Sequence, residues 1–260
     1  MSYAFRLALI VLLTVPLALL TVLFGLFDPN GRHVYGISRF WACSILRAGG
    51  VALKVEGVER LDAERQYVFM VNHQSNVDIP VLVQSFPRFQ LRWVAKKELL
   101  WVPFFGWAMW ASKHIAVDRS KPSDAVKSLQ RAKARIAAGI SVVIFPEGTR
   151  GRDGKLLPFK KGGFLLAAQS GAAIVPVTIN GSGALLPAGA WRLQPGVIEV
   201  IVGEAISVEG YRPGNLRLLS EKVRAQMAAQ LRPGVVPPGA SVAASNRPAI
   251  GKPSLEKQSI

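Results

Sequence analysis

The first 27 residues are almost wholly apolar: Leu7 to Phe27 is a run of 21 residues without a charge. That length is enough to cross the hydrocarbon core of a bilayer, and Pro16 within it marks a kink or break. A cleaved signal peptide would carry a shorter apolar region ending in small residues, whereas Asp28-Pro29-Asn30-Gly31-Arg32 follows here. The run therefore predicts a retained membrane helix over 4–27, either crossing or re-entrant. From Val34 to Leu53 the pattern changes, with Arg39 and Arg47 set among Tyr35, Ile37, Phe40, Trp41, Ile45 and Leu46. That mixture suits a helix lying in the interface, over 34–49. Arg32, Arg39 and Arg47 follow the first span while only Arg6 precedes it. The positive-inside bias then puts the rest of the chain on the cytoplasmic side.

Beyond residue 50 the pattern alternates. Short apolar, β-branched runs predict strands at 51–56, 67–71, 91–95, 114–117, 141–145, 174–179 and 197–202, with helical periodicity clearest from Pro122 to Ala138 and from Asn215 to Leu231. Strands alternating with helices imply an α/β fold, a mostly parallel or mixed sheet flanked by helices, preceded by the N-terminal membrane-anchoring helical segment. The expected division is an anchor over 1–50, an α/β domain over 51–232 and a tail over 233–260. The tail begins Pro-Gly-Val-Val-Pro-Pro-Gly and continues in small and polar residues. It cannot bury enough apolar surface to offset its ordering entropy and is expected to be disordered.

Charge narrows the partners. The net charge is +16, and between Arg88 and Lys161 there are 16 Lys and Arg against 5 Asp and Glu. Such a surface attracts anions. Nucleic acid is not expected, because no zinc-finger spacing, RNP-type aromatic motif or basic zipper array occurs. Beside a membrane anchor the basic surface is expected to face an anionic leaflet, where each nearby cation contributes roughly 1 kcal/mol. Cys43 is the single cysteine, which excludes an internal disulfide and agrees with a reducing compartment. The stretch Leu99 to Trp110 holds three of the six tryptophans beside Lys96 and Lys97. A cluster of this kind is ordinarily core; next to an anchor, part of it could instead sit at headgroup depth or line an acyl pocket.

Four segments carry candidate chemistry. Asn72-His73-Gln-Ser-Asn-Val-Asp78 follows the apolar run Tyr67 to Val71, so a histidine and a carboxylate emerge together at the carboxyl edge of a strand, where open α/β sheets bind ligands. His114-Ile-Ala-Val-Asp118-Arg119-Ser120 and Val142-Val-Ile-Phe-Pro-Glu147-Gly148-Thr149-Arg150 each run from a strand into an arginine. Arginines at strand tips form a good phosphate clamp through bidentate bonds. Ile174-Val-Pro-Val-Thr-Ile179 reads as a buried strand, with Pro176 restricting one side of its ladder.

In that order, NHxxxxD, VDRS, FPEGTR and VPVTI resemble the glycerolipid acyltransferases, specifically the bacterial 1-acyl-sn-glycerol-3-phosphate acyltransferases. The likeness runs from about residue 50 to 210 and includes Val94-Ala-Lys-Lys-Glu-Leu and the following Trp-Val-Pro-Phe-Phe-Gly. Two positions depart from the pattern: Lys113 stands where glycine is commoner, and Gly151 follows FPEGTR where serine is common. The resemblance implies that His73 accepts the proton of the sn-2 hydroxyl of lysophosphatidic acid as that oxygen attacks an acyl thioester, with Asp78 orienting the imidazole. It also implies that Arg119 and Arg150, with Lys96, hold the acceptor phosphate, and that Glu147, Gly148 and Thr149 shape the same pocket. The donor is then an acyl carrier protein or coenzyme A thioester, the product is phosphatidic acid for phospholipid synthesis, and no cofactor or metal is expected.

Other chemistries fit less well. There is no GxSxG elbow, since Asn180-Gly-Ser-Gly183 lacks the first glycine, and Ser75 as a nucleophile is disfavoured. No GxxxxGK[ST] or GxGxxG occurs, and one Cys with three scattered His does not suggest zinc. Two rivals stay open: the same transfer to another lysolipid, such as a lyso-ornithine lipid or another lysophospholipid, and a non-catalytic basic membrane-binding protein.

Overall fold

The computed structural model describes residues 3–118 and 122–232. Arg119 and the tail expected over 233–260 lie outside the described residues. A sheet of seven strands is built from β1 (Val51–Glu56), β2 (Val68–Val71), β3 (Leu91–Lys96), β4 (Ile115–Val117), β5 (Ser141–Ile144), β6 (Ile174–Asn180) and β7 (Gly196–Val202), in the order β1-β7-β6-β2-β5-β3-β4. β7 runs antiparallel to β6 and parallel to β1, and the remaining neighbours are parallel. The sheet is thus mixed, as expected from the alternating pattern. The carboxyl ends of β6, β2, β5, β3 and β4 all open on one edge.

The helices are α1 (Tyr3–Gly25), α2 (Val34–Gly49), α3 (Asp78–Ser85), α4 (Phe105–Ala111), α5 (Pro122–Ala137), α6 (Lys161–Ser170), α7 (Ser182–Leu185) and α8 (Leu216–Gln230). β2 is buried at all four positions, as a central strand covered on both faces must be. Phe69 and Val71 point into a core with Ala42 and Leu46 of α2 and Val81 and Leu82 of α3. Val68 and Met70 point the other way, into a core with Ile136 of α5, Phe164 of α6 and Leu219 and Val223 of α8. Helices therefore sandwich the sheet.

The N-terminal run forms α1, but among the described residues no helix is long and apolar enough to cross a membrane. The expected N-terminal helix is thus present, and it packs against α2 and α4. Gly25 lies so close to Ala111 of α4 that a Cβ there would stand 2.8 Å from the alanine Cβ. Trp41 Nε1 of α2 donates to Thr14 Oγ1 of α1 at 3.1 Å. The opposite side of α1 leaves Val11, Leu12, Leu19, Leu20, Leu23 and Phe24 exposed. Of the two readings of the tryptophan cluster, the core one is overturned. α4 turns Gly106, Met109 and Ala111 inward, so Trp107 and Trp110 project outward, 49% and 55% exposed, and Trp101 ahead of them is 79% exposed.

A buried cation joins this helical pair to the sheet. Arg92 of β3 is wholly buried, and its guanidinium donates to the carbonyls of Asn30 (2.8 Å), Gly31 (2.7 Å) and Leu91 (2.8 Å). Desolvation lowers its pKa to about 10. Gly31 has φ +68°, and a Cβ there would sit 2.9 Å from the guanidinium. Only glycine meets both demands. Asp28, beside it, accepts the His33 and Val34 N–H groups at 2.6 and 3.1 Å, satisfying the start of α2.

Candidate active site

The chain leaves β2 through Asn72, which is buried and pairs in both directions with Ile179 of β6. Its amide donates to the Ile179 carbonyl at 2.9 Å, and its oxygen accepts the Ile179 N–H at 2.7 Å. This pair pins the end of β2 just before the polar turn. His73 comes next, with its side chain 18% exposed, and its Nδ1 lies 2.8 Å from Asp78 Oδ2. Asp78 is wholly buried in the first turn of α3, where a carboxylate is favoured by the helix dipole. The same Oδ2 accepts the Gln74 and Ser75 N–H groups, each at 2.9 Å. The carboxylate thereby shapes the turn and sets the imidazole, leaving Nε2 for an incoming hydroxyl. The Ser75 hydroxyl donates to the Leu186 carbonyl at 2.7 Å, which is a structural use and not a nucleophile's.

The turn after β5 closes over this corner. Phe145 stacks on the His73 ring, with centroids 3.9 Å apart and planes 16° from parallel. Glu147 is buried; its Oε1 accepts the His73 N–H at 3.0 Å and its Oε2 accepts the Leu157 N–H at 2.9 Å. Desolvation raises its pKa, partly offset by those two bonds and by His73 and Arg224. Gly148 takes φ +73°, with the Lys160 side chain lying against it. Thr149 is exposed. Arg150 Nη1 donates to Asn76 Oδ1 at 3.0 Å, and the Gly151 N–H donates to the His73 carbonyl at 2.8 Å. A cleft of about 260 Å³ opens beside the corner, lined by Gln74, Gly151, Arg152, Gly183, Pro187 and Ala188.

His73, Asp78, Glu147, Gly148 and Arg150 are therefore brought together. Lys96 ends β3 on the same edge and is exposed. β5 lies between β3 and β2, which puts Lys96 roughly 10 Å to the side at ordinary strand spacing. Arg119 follows β4, the next strand out, beyond the described residues. Phe145 and Asn76 were not singled out by sequence reasoning. Phe145 reads there as the end of an apolar strand, and Asn76 as one polar turn residue among several.

Comparison with known proteins gives the family. The family model described as "Acyltransferase" matches residues 52–180. A 1-acyl-sn-glycerol-3-phosphate acyltransferase of Pseudomonas aeruginosa is 34% identical over 80% of this chain and 88% of its own length. The chain belongs to the 1-acyl-sn-glycerol-3-phosphate acyltransferase family. A chloroplastic relative from Arabidopsis thaliana is 36% identical over 70% of this acyltransferase, which spans about half (51%) of the plant protein. The crystal structure of the 1-acyl-sn-glycerophosphate acyltransferase PlsC from Thermotoga maritima matches with a TM-score of 0.68 at 26% identity, covering 89% of this chain and 99% of that one.

The two departures from the family pattern have local explanations. Lys113 adopts φ +60°, a left-handed backbone that suits the commoner glycine, and its amine donates to the Gly25 carbonyl of α1 at 3.2 Å. At Gly151 a Cβ would stand 3.3 Å from the Lys155 carbonyl oxygen, tight but open to serine after a small shift. Among the described residues of the acyltransferase, no group of three or more His, Cys, Asp or Glu side chains could hold a metal ion.

Proposed function

We propose that this enzyme transfers a fatty acyl group from an acyl carrier protein or coenzyme A thioester to the sn-2 hydroxyl of 1-acyl-sn-glycerol 3-phosphate, giving phosphatidic acid at the cytoplasmic face of the inner membrane. The observation that carries the reading is the 2.8 Å pair between His73 Nδ1 and Asp78 Oδ2 at the carboxyl edge of β2. His73 Nε2 takes the hydroxyl proton as the oxygen attacks the thioester carbonyl. The tetrahedral intermediate then expels the thiolate, which recovers that proton from the imidazolium. Asp78 holds the ring in the productive tautomer and stabilises its charged form. The acceptor hydroxyl is itself the nucleophile, so no covalent enzyme intermediate and no cofactor are required.

Arg150, with Lys96 at the end of β3 and with Arg119, which follows β4 in sequence, holds the acceptor phosphate, and the Gly148–Thr149 turn borders it. The acceptor's acyl tail lies in the leaflet against which the exposed apolar side of α1 and the tryptophans beside α4 rest. A transfer assay with lysophosphatidic acid and both thioesters tests the reading. His73→Ala should lower kcat by roughly 10²–10⁴-fold, the usual contribution of a general base. Retained transfer by that variant would remove His73 from the mechanism. Arg150→Ala should raise the acceptor KM while leaving the thioester KM unchanged. Equal turnover of lysolipids lacking a terminal phosphate would point to the rival acceptor class.

A further inference from the structure

We infer that Glu147 is a positioning residue: its carboxylate holds the main chain of His73 to the loop between β5 and α6 and does not contact the acceptor phosphate. The inference rests on the proposal that His73 is the base. Glu147 is only 3% exposed, and both of its oxygens are engaged. Oε1 accepts the His73 N–H at 3.0 Å, and Oε2 accepts the Leu157 N–H at 2.9 Å, so one side chain bridges two segments of main chain. An anion already satisfied in this way adds only repulsion toward a phosphate.

The far end of the bridge is anchored. Arg224 of α8 donates to the Leu157 and Leu156 carbonyls at 2.6 and 2.9 Å and lies over the Phe159 ring at 5.2 Å. The near end is gripped twice, because the Gly151 N–H of the same loop takes the His73 carbonyl at 2.8 Å. Both flanks of the His73 residue are therefore held by one loop. Its ring is held by Asp78 at Nδ1 and by Phe145 across its face. The loop that carries the acceptor clamp, Arg150, is thus the loop that places the base. Catalytic geometry tolerates errors of only about 0.5 Å, and a misplacement of about 1 Å can cost ~10²-fold. A brace of this kind acts on turnover and leaves acceptor affinity alone.

The experiment compares Glu147→Gln, Glu147→Ala and Arg224→Met in the full-length enzyme, with thermal unfolding measured beside kcat and acceptor KM. Glu147→Gln keeps one acceptor oxygen and the side-chain volume, so it should lose roughly tenfold in kcat, and Glu147→Ala ~10²-fold or more. Acceptor KM should stay within about twofold in both, making glutamine a partial rescue of alanine. If either Glu147 variant fails to fold, Arg224→Met decides, with a smaller fall in kcat at constant KM. A raised acceptor KM with kcat preserved would overturn the inference, as would unchanged kinetics in all three variants. Activity retained by His73→Ala would instead overturn the assignment of the base.

Discussion

At the scale of single residues, the chain contains three histidines, and burial with partner chemistry separates two of them. His73 faces a carboxylate and keeps part of its ring in contact with solvent. His114 is half-buried against Trp93, its Nδ1 accepting the Trp93 main-chain N–H at 3.3 Å and the two rings meeting edge-on at 5.1 Å. Desolvation, with Arg92 and Arg135 nearby, lowers its pKa from 6.5 to about 3. Between those two values a histidine held neutral in the fold takes up its proton only on unfolding, so its contribution to stability is present above pH 6.5 and is lost as pH falls toward 3. His114→Leu should therefore narrow the difference in urea midpoint between about pH 7 and about pH 4. An unaltered difference would show that His114 does not carry this linkage. Sequence reasoning could select His73 because Asp78 lies five residues on, within reach across one turn. It could not see that His73 is held through its backbone as well. The partners there are 74 residues or more away and reach it only once β5 pairs with β2.

At the scale of elements, every strand expected from apolar runs is present, with ends shifted by at most one residue. Strand runs bounded by polar turns are legible because a buried strand needs an unbroken apolar stretch. α6 was not anticipated, since it opens Lys161-Gly-Gly, and glycine weakens the helical signal that packing later overrides. Nor did periodicity suggest how the α1–α2 pair is fastened. Arg92 reads locally as a polar residue within a strand, yet its guanidinium is the clasp on the α1–α2 turn. Arg92→Leu would strand the Asn30 and Gly31 carbonyls without donors, costing about 1–3 kcal/mol each. The expected result is a lower melting temperature together with new proteolytic cleavage at residues 28–33. Normal protease resistance at that turn would argue that the clasp is dispensable.

At the scale of the whole molecule, two features coincide: a net charge of +16 and an apolar surface running from α1 to the tryptophans around α4. Leu12, Phe27, Trp101, Trp107 and Trp110 are each about half exposed or more. Large apolar side chains exposed on two helices that touch each other suit an interface, with cations adding attraction to anionic lipid. Replacing Trp101 and Trp107 together by serine should weaken binding to vesicles of anionic phospholipid by at least about tenfold, since each large apolar side chain contributes about 1.5–3 kcal/mol when fully buried. Added salt should weaken the wild-type enzyme's binding further. Co-sedimentation measures both, and binding indifferent to the tryptophans would place the contact elsewhere.

The amino-acid sequence by itself determined the α/β class, the strands, the His73–Asp78 corner and the family, because each rests on local periodicity or on short spacings within one segment. The tertiary structure alone decided what stands across from what. It laid α1 on the domain, turned the tryptophans outward, buried Arg92 beneath a helical turn and set Glu147 behind the base. Those outcomes depend on which distant segments share the limited space on either face of one sheet, and no local pattern encodes that.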